Sequence, residues 1–362
     1  MEQIEVNKDL MENPYHEIVN WAESRVKLVG KKVFQFAALQ PVSLIMPDFP
    51  YEDGTIKSNI NFLLLAPSGS GKTTCAQMFS EITYQPFDFN SITSARFEEE
   101  MYGKKEVSLI CGELATIARD PILIKTMEGV LGEEKKLSRF TMQKTRSSSV
   151  NAVFFGAGIP NQITKYLKFG FVQRTVPLVL FHTPEEKVTI SKWINDSMFR
   201  ARSEHISLDQ IHQYYQRLWD IQKNKNNDFP PITGFVVDKK IRDAMFAHWQ
   251  YLNDSLLFPN DTYLIRENHS GYRYICASAM LELFSRKIEN NEIVVTQHDL
   301  ERAKNLLTIE MQMKCNILNL DKIMREQNDV VRLYKSVVEN EELDYSVRKL
   351  GELMMKERGK IR

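Results

Sequence analysis

Short runs of large apolar residues, separated by longer stretches with helical spacing, recur through the first half of the chain. Such continuous runs predict strands that are buried on both faces, since a half-exposed strand would alternate apolar with polar residues. Four runs predict four strands, over residues 62–65, 107–111, 152–155 and 176–181. Helical segments between the strands predict a parallel sheet with helices on both faces, which is the α/β class.

The segments on either side of the predicted sheet have helical patterns. Residues 14–49 predict two helices that are separated at Pro41, and the spacing from Glu185 to about Leu307 is helical throughout. In that second stretch, an aromatic stripe predicts core positions rather than a ligand site; it consists of Tyr214, Tyr215 and Trp219. The pattern divides the chain into an N-terminal helical segment at 1–55, an α/β core at 56–184, a helical domain at 185–310 and a helical tail at 311–362.

The first predicted strand leads into the stretch NFLLLAPSGSGKTT, at residues 61–74. A strand, a glycine-rich turn and a helix that begins with Lys-Thr occur in the order that a phosphate-binding loop (P-loop) needs. Gly69 and Gly71 let backbone N–H groups converge on phosphate oxygens, because glycine reaches positive φ without strain. We expect Lys72 to reach the β- and γ-phosphates and the Thr73 hydroxyl to bind Mg²⁺. The residues expected to contact the nucleotide are Ala66, Pro67, Ser68, Gly69, Ser70, Gly71, Lys72, Thr73 and Thr74.

A carboxylate follows the second predicted strand, where SLICGELA places Glu113 after the strand end. Ligands of open α/β sheets bind at the carboxyl ends of strands, so Glu113 can polarise the water that attacks the γ-phosphate. The alternative is an ordinary acidic residue at the start of a helix. A typical second nucleotide motif has an Asp before this Glu to hold Mg²⁺ through water. Here Gly112 takes that position, so the expected metal shell is one carboxylate short.

Residues 133–146 contain five basic residues against two acidic ones. The alternation in LSRFTMQKT predicts a β-hairpin. The basic residues are Lys135, Lys136, Arg139, Lys144 and Arg146. They can follow a phosphate backbone, with Phe140 stacking on a base or packing on the hairpin. An edge hairpin whose lysines only prevent aggregation is an equally good interpretation of this stretch alone.

The composition limits the remaining classes of function. The net charge is zero, so contact with nucleic acid would need a local basic surface rather than overall attraction. The four cysteines are scattered without a Cys-x-x-Cys pair, which argues against zinc and favours a reducing, cytoplasmic setting. No signal peptide is visible, and no apolar run approaches the 18 residues that a membrane span requires, so we expect no membrane contact.

Taken in order, these parts resemble the AAA+ motor module of the minichromosome maintenance helicases and of their relatives on viruses and plasmids. The resemblance covers roughly residues 15–310 and begins at NFLLLAPSGSGKTT. SLICGELA resembles a degenerate second nucleotide motif, and NAVFFGAGIPNQ resembles the sensor-1 strand and turn, with Asn161 near the place of the family's asparagine. QRTVPLVLFHTPEEK resembles the segment with the arginine finger, and GYRYICASAMLELFSRK resembles a lid helix that opens with a second sensor arginine.

The resemblance implies an AAA+ P-loop core followed by an all-α lid and a helical tail. It makes Arg174 a finger that reaches ATP on the neighbouring subunit, so Lys72, Glu113 and Arg174 form the catalytic set. It also makes Arg273 the second sensor, which contacts the nucleotide. The basic hairpin falls where the family has a pore hairpin, which implies that its five basic residues grip DNA.

The function that the resemblance implies is a ring-forming, hexameric ATPase that acts on DNA with ATP and Mg²⁺. It would be a replicative-type helicase or translocase of a virus or mobile element, with another replication protein as a further partner. Two alternatives stay open. One is an ATP-dependent loader or initiator that binds DNA without unwinding it, which Gly112 and the short segment before the P-loop favour. The other is an AAA+ protein that remodels proteins rather than DNA.

Overall fold

The computed structural model covers the predicted sheet and much of the helical parts around it. The described residues are 7–26, 32–51, 54–117, 119–132, 136–140, 145–160, 172–197, 206–225, 229–258, 264–326 and 344–357. Helices and a short antiparallel hairpin precede the sheet. They are α1 (Lys8–Glu12), α2 (Pro14–Arg25), α3 (Lys32–Ile45), β1 (Phe49–Tyr51) and β2 (Gly54–Ile56).

The α/β part alternates strands and helices, as predicted. Its elements are β3 (Phe62–Leu65), α4 (Lys72–Ile82), β4 (Pro86–Asp88), α5 (Ser94–Met101), β5 (Glu106–Cys111), α6 (Leu114–Ile117), α7 (Pro121–Leu131), β6 (Lys136–Phe140), β7 (Thr145–Ser149), β8 (Asn151–Gly158) and β9 (Val176–Val179). Five strands form one parallel sheet in the order β4-β5-β8-β3-β9. The predicted α/β class and all four predicted strands are therefore confirmed, and β4 is an additional edge strand.

The sheet is buried on both faces, which explains why its strands are unbroken apolar runs in the sequence. Alternate residues of β3 point to opposite sides. Phe62 and Leu64 belong to a hydrophobic cluster that also contains α2, α3, α4 and the helical part that follows the sheet. Leu63 and Leu65 belong to a second cluster on the other face, with α5 and α7. A continuous core thus joins the sheet to the helical part.

Helices dominate the second half of the chain. Its elements are α8 (Pro184–Ser197), α9 (Leu208–Gln222), β10 (Gly234–Val236), α10 (Lys239–Ser255), α11 (Leu264–Leu281), β11 (Ile288–Glu289), β12 (Glu292–Val294), α12 (Gln297–Glu326) and α13 (Tyr345–Glu357). The predicted aromatic stripe is buried in the core, as expected. All four cysteines are free and buried. No described helix combines the length and the apolar character that crossing a bilayer requires.

The prediction that this half is helical throughout was wrong in one place. Strands β10, β12 and β11 form a small sheet, and a two-residue turn joins β11 to β12. The turn residues Asn290 and Asn291 both have positive φ, at 51° and 65°. Two positive φ values are the requirement of a type I′ hairpin turn, and asparagine tolerates them better than most residues. The Asn-Asn pair was the signal in the sequence that could have predicted this hairpin.

The predicted break at Pro41 was also wrong, because α3 continues through it. A proline inside a helix removes one backbone hydrogen bond and costs about 3 kcal/mol. Nearly every residue of α3 is buried, so the packing of this helix outweighs the local cost. The separation between α2 and α3 falls instead between Arg25 and Lys32.

Candidate functional site

The P-loop connects the carboxyl end of β3 to the start of α4. Gly69 and Gly71 both adopt φ of +77°, the left-handed region where a side chain would be strained. Gly71 is the residue that caps α4, and no side chain caps the first N–H groups of this helix. These N–H groups and the positive end of the helix dipole are what an oxyanion needs. The glycine positions predicted from the sequence therefore have the conformation that a phosphate cradle requires.

Lys72 lies against the loop. Its ammonium donates hydrogen bonds to the carbonyl oxygens of Ala66, at 2.7 Å, and Pro67, at 2.6 Å. Only 9% of the residue is exposed. This burial lowers the pKa of Lys72, and the nearby Glu113 carboxylate opposes the shift. Lys72, at the start of α4, and Glu113, after β5, thus interact electrostatically.

The ends of three strands meet at this edge of the sheet. β3 lies between β8 and β9, and the pairing continues past the strand ends. The Ala66 N–H donates to the Gly158 carbonyl at 3.1 Å, and the Leu180 N–H donates to the Leu65 carbonyl at 2.8 Å. β5 precedes Glu113 and is separated from β3 by β8 alone. Strand ends of open α/β sheets are the usual place for a ligand, so this edge is the candidate site.

Gly112 leaves a space that another residue fills. A Cβ atom built on Gly112 would lie 2.6 Å from the Oδ1 atom of Asn90, which follows the edge strand β4. Asn90, Gly112 and Thr73 line one cavity of about 440 Å³ together with Asp88. The Ser80 hydroxyl donates to Asp88 at 2.5 Å. An amide oxygen therefore stands where the sequence pattern lacks its carboxylate, and sequence reasoning missed Asn90.

These residues fit Mg²⁺ that arrives with a triphosphate. Mg²⁺ prefers oxygen ligands, keeps several waters and is usually held by one or two protein groups plus phosphates. Thr73 and Asn90 offer a hydroxyl and an amide oxygen to the same cavity. Among the residues that the structure describes, no cluster of three or more His, Cys, Asp or Glu side chains is placed to hold a metal by itself.

The two arginines singled out from the sequence both lie at the amino ends of the strands, away from the P-loop. Arg174 comes just before β9 and Arg273 lies on α11, and both line a small cavity of about 40 Å³. The Arg273 Nε atom donates to the Lys57 carbonyl at 2.7 Å. The Asn61 amide donates to the Arg174 carbonyl at 3.3 Å. Since β3 alone spans about 13 Å, neither arginine is placed at the P-loop of its own chain.

Two further features of this arginine cavity were missed from the sequence. Asn59 is 4% exposed, and its side-chain amide has no hydrogen-bond partner in the described part of the chain. Lys314 is buried and donates to Glu267 at 2.8 Å and to Glu310 at 2.6 Å. Burial alone would lower the pKa of Lys314, but the two carboxylates outweigh it and raise the pKa. Nothing in the local sequence distinguishes these residues from surface polar ones.

The predicted basic hairpin is present as the antiparallel pair β6 and β7. Lys136, Arg139 and Arg146 lie on its strands, and Arg139 is paired in register with Arg146. Lys135 and Lys144 lie outside the described residues, as does Asn161. A single residue, Val150, joins β7 to the first residue of β8, so the hairpin leaves the sheet at the end that carries Arg174 rather than at the P-loop end.

A large cavity adjoins the P-loop on its other side. Its volume is about 640 Å³, and it is lined by the loop, the residues after β9, helix α8 and the C-terminal helix α13. Trp193 of α8 and Tyr345 of α13 contribute aromatic surface to it. Sequence reasoning missed both residues, since single aromatic residues on amphipathic helices usually belong to a core.

No protein-family model matches the chain, and no curated protein is recognisably similar to it.

Proposed function

We propose that this protein binds ATP with Mg²⁺ at the P-loop and hydrolyses it. The observation that carries the proposal is the conformation of the loop: two glycines at φ of +77° and a buried ammonium at the start of α4, which interacts electrostatically with Glu113. In this role Lys72 exchanges its two carbonyl partners for phosphate oxygens, with which it makes stronger, charge-assisted bonds. Glu113 holds the attacking water, as a carboxylate at a strand end can do.

Mg²⁺ would be held by Thr73 and Asn90 together with the phosphates, and it would supply positive charge that neutralises the transferred phosphoryl group. Glu113 then serves as the base or as the group that orients water. The amides of the loop keep the phosphates in place, which is most of what catalysis of phosphoryl transfer requires. Gly112 removes one carboxylate from this arrangement, so we expect slow turnover.

The finer proposal is an AAA+ ATPase that works as a ring, with a hexamer as the expected form. The placement of Arg174 and Arg273 supports it, because both lie at the edge opposite the P-loop and would reach a nucleotide only on another copy. The two arginines and the unpaired amide of Asn59 line one small cavity, so all three lie close together at that edge. An arginine supplied in this way can accelerate phosphoryl transfer by about 10³-fold or more.

DNA is the proposed substrate of the ring. The hairpin formed by β6 and β7 carries Lys136, Arg139 and Arg146 on its strands, and Arg139 is paired in register with Arg146. Basic residues on such a hairpin can neutralise the phosphates of a nucleic-acid backbone. A helicase or translocase is the form of the proposal that the resemblance favours. A loader that binds DNA and ATP without unwinding is the second candidate, and the absence of a carboxylate at Gly112 favours it.

The first experiment is direct binding and hydrolysis of ATP. The wild type should bind ATP in the presence of Mg²⁺, and Lys72→Ala should weaken binding by about 10- to 100-fold, since a charged hydrogen bond contributes about 1.5–3 kcal/mol. Lys239→Ala, which removes an exposed lysine from the start of α10, should change nothing. Unchanged turnover in Lys72→Ala would refute the proposed site.

A further inference from the structure

The large cavity beside the P-loop is lined by the loop on one side and by residues outside the loop on the others. Its volume of about 640 Å³ is in the range of pockets that hold a whole small molecule. The P-loop residues from Pro67 to Gly71 form one side of it. The remaining walls come from the end of α2, helix α8, the chain after β9 and the C-terminal helix α13. The cavity therefore extends away from the loop that would hold the phosphates.

The chemistry of these walls suits a nucleoside. Trp193, Ile190 and Tyr345 offer apolar and aromatic surface on which a base can stack. Arg25, Lys187 and Lys349 place basic side chains in the walls, where Lys349 is paired with Glu352 and Arg25 with Glu81. No carboxylate is found among the described residues that line the cavity. A flat aromatic group attached to an anion matches both properties.

The C-terminal helix is fixed beside the loop by specific contacts. The Phe181 N–H, just after β9, donates to the Ser346 hydroxyl at 3.0 Å. Val347, Leu350 and Met354 are buried in the hydrophobic cluster on one face of the sheet. Asp344 accepts a hydrogen bond from the Ser346 N–H at 2.8 Å and so stabilises the start of the helix. Tyr345 is thereby held in the wall of the cavity rather than on a free tail.

We propose that the base and ribose of the bound nucleotide occupy this cavity, so that the C-terminal helix α13 forms one wall of the nucleotide site in the same chain. The inference rests on the proposed function of the P-loop and assigns the nucleoside half of its ligand. It has a second consequence: the nucleoside contacts both the loop and α13, so binding holds this helix against the sheet. How firmly the C-terminal helix is held then depends on whether nucleotide is bound.

The test compares two ligands that both carry three linked phosphates, of which only one also carries a nucleoside. Calorimetry measures the affinity of the intact protein for ATP and for inorganic tripolyphosphate, both with Mg²⁺. The wild type should bind ATP at least tenfold more tightly. Tyr345→Ala and Trp193→Ala should each weaken ATP binding by about tenfold, since stacking of a base on an aromatic side chain contributes about 1–3 kcal/mol. Neither variant should change the affinity for tripolyphosphate.

Tyr251→Ala is the matched control, because Tyr251 lies on helix α10 and is 66% exposed. It should leave both affinities unchanged. Equal affinity of the wild type for the two ligands, or an equal loss of both in Tyr345→Ala, would overturn the nucleoside assignment while leaving the P-loop as a phosphate site. A wild type that binds neither ligand would refute the proposed function itself.

Hydrogen exchange on the wild type provides a readout that needs no variant. ATP should slow amide exchange across residues 345–357 by severalfold, and tripolyphosphate should not. Equal exchange with ATP and without ligand, under conditions where ATP binds, would show that α13 is not a wall of the site.

Discussion

Asn90 occupies the space in which residue 112 has no side chain, since its Oδ1 atom lies 2.6 Å from where a Cβ atom on Gly112 would stand. The two residues follow neighbouring strands, β4 and β5, which pair in parallel. An aspartate at 112 would therefore require the exposed Asn90 side chain to turn away. In this chain the side-chain oxygen at that position of the cavity comes from the residue after the edge strand instead of from the strand before Glu113.

This overlap predicts the effect of restoring the missing carboxylate. Gly112→Asp alone should cost no more than about 1 kcal/mol of unfolding free energy, because it overlaps only the end of the exposed Asn90 side chain, which can turn away. Combining it with Asn90→Gly should recover most of that loss and should raise Mg²⁺-dependent turnover. Urea unfolding and ATP hydrolysis measure the two effects. A much larger loss of stability in Gly112→Asp would show that Asn90 cannot turn away.

A shared active site predicts complementation between two inactive variants. Arg174→Ala should retain ATP binding and lose turnover, since Arg174 lies at the edge opposite its own P-loop. Mixed with Lys72→Ala protein, it should regain part of the activity, because some interfaces then combine an intact loop with an intact arginine. Turnover of the mixture is compared with that of each variant alone. Absence of any recovery would argue against a site built from two copies.

The arginine pair also predicts that Arg273→Ala behaves like Arg174→Ala. Both side chains line one cavity, so each variant should lower turnover of the assembled protein more than it lowers ATP affinity. Steady-state kinetics and calorimetry separate the two quantities. A loss of ATP affinity in Arg273→Ala at a concentration where the protein is monomeric would place its role in its own chain instead.

The basic hairpin predicts a change in the salt dependence of DNA binding. Replacing Lys135, Lys136 and Arg139 with Ala should flatten the slope of log affinity against log salt by roughly 0.7–0.9 for each phosphate that the protein no longer neutralises. Replacing three exposed lysines elsewhere provides the control; these are Lys225, Lys239 and Lys240. If the hairpin variant and the control give the same slope as the wild type, the hairpin has a structural role only.

The buried ion cluster on α12 predicts a pH-dependent loss of stability. Lys314→Met leaves Glu267 and Glu310 buried without their cation, which should cost about 3–5 kcal/mol of unfolding free energy. Burial already raises the pKa of Glu267, and removing Lys314 removes the charge that opposes this shift.

When folding raises the pKa of a carboxyl group, its protonated form favours the folded state. The free energy of unfolding is therefore highest below the unfolded pKa and falls as the pH rises through the folded pKa. The deficit of Lys314→Met should therefore be smaller at pH 5 than at pH 8 in urea unfolding. Lys304→Met removes a partly exposed lysine that pairs with Glu301 on the same helix, and should cost less than about 1 kcal/mol at either pH. A deficit that does not change with pH would assign the loss to packing rather than to the buried charges.

Local chemistry in the sequence determined the P-loop, the buried strands and the basic hairpin. Unbroken apolar runs such as residues 62–65 indicate strands covered on both faces, and Gly69 and Gly71 indicate positive φ, because both properties depend on neighbouring residues only. Strand β4 was not predicted, because its three residues are too few to form a recognisable apolar run. The turn at Asn290 and Asn291 had a local signal too.

Only the tertiary structure decided which distant residues share a cavity. Arg174 lies beside Arg273, Asn90 fills the space at Gly112, and Tyr345 reaches the P-loop cavity. Each of these contacts depends on the order of strands in the sheet and on where the last helix packs. Such contacts join residues far apart in the chain, and no periodicity or spacing within a local segment encodes them.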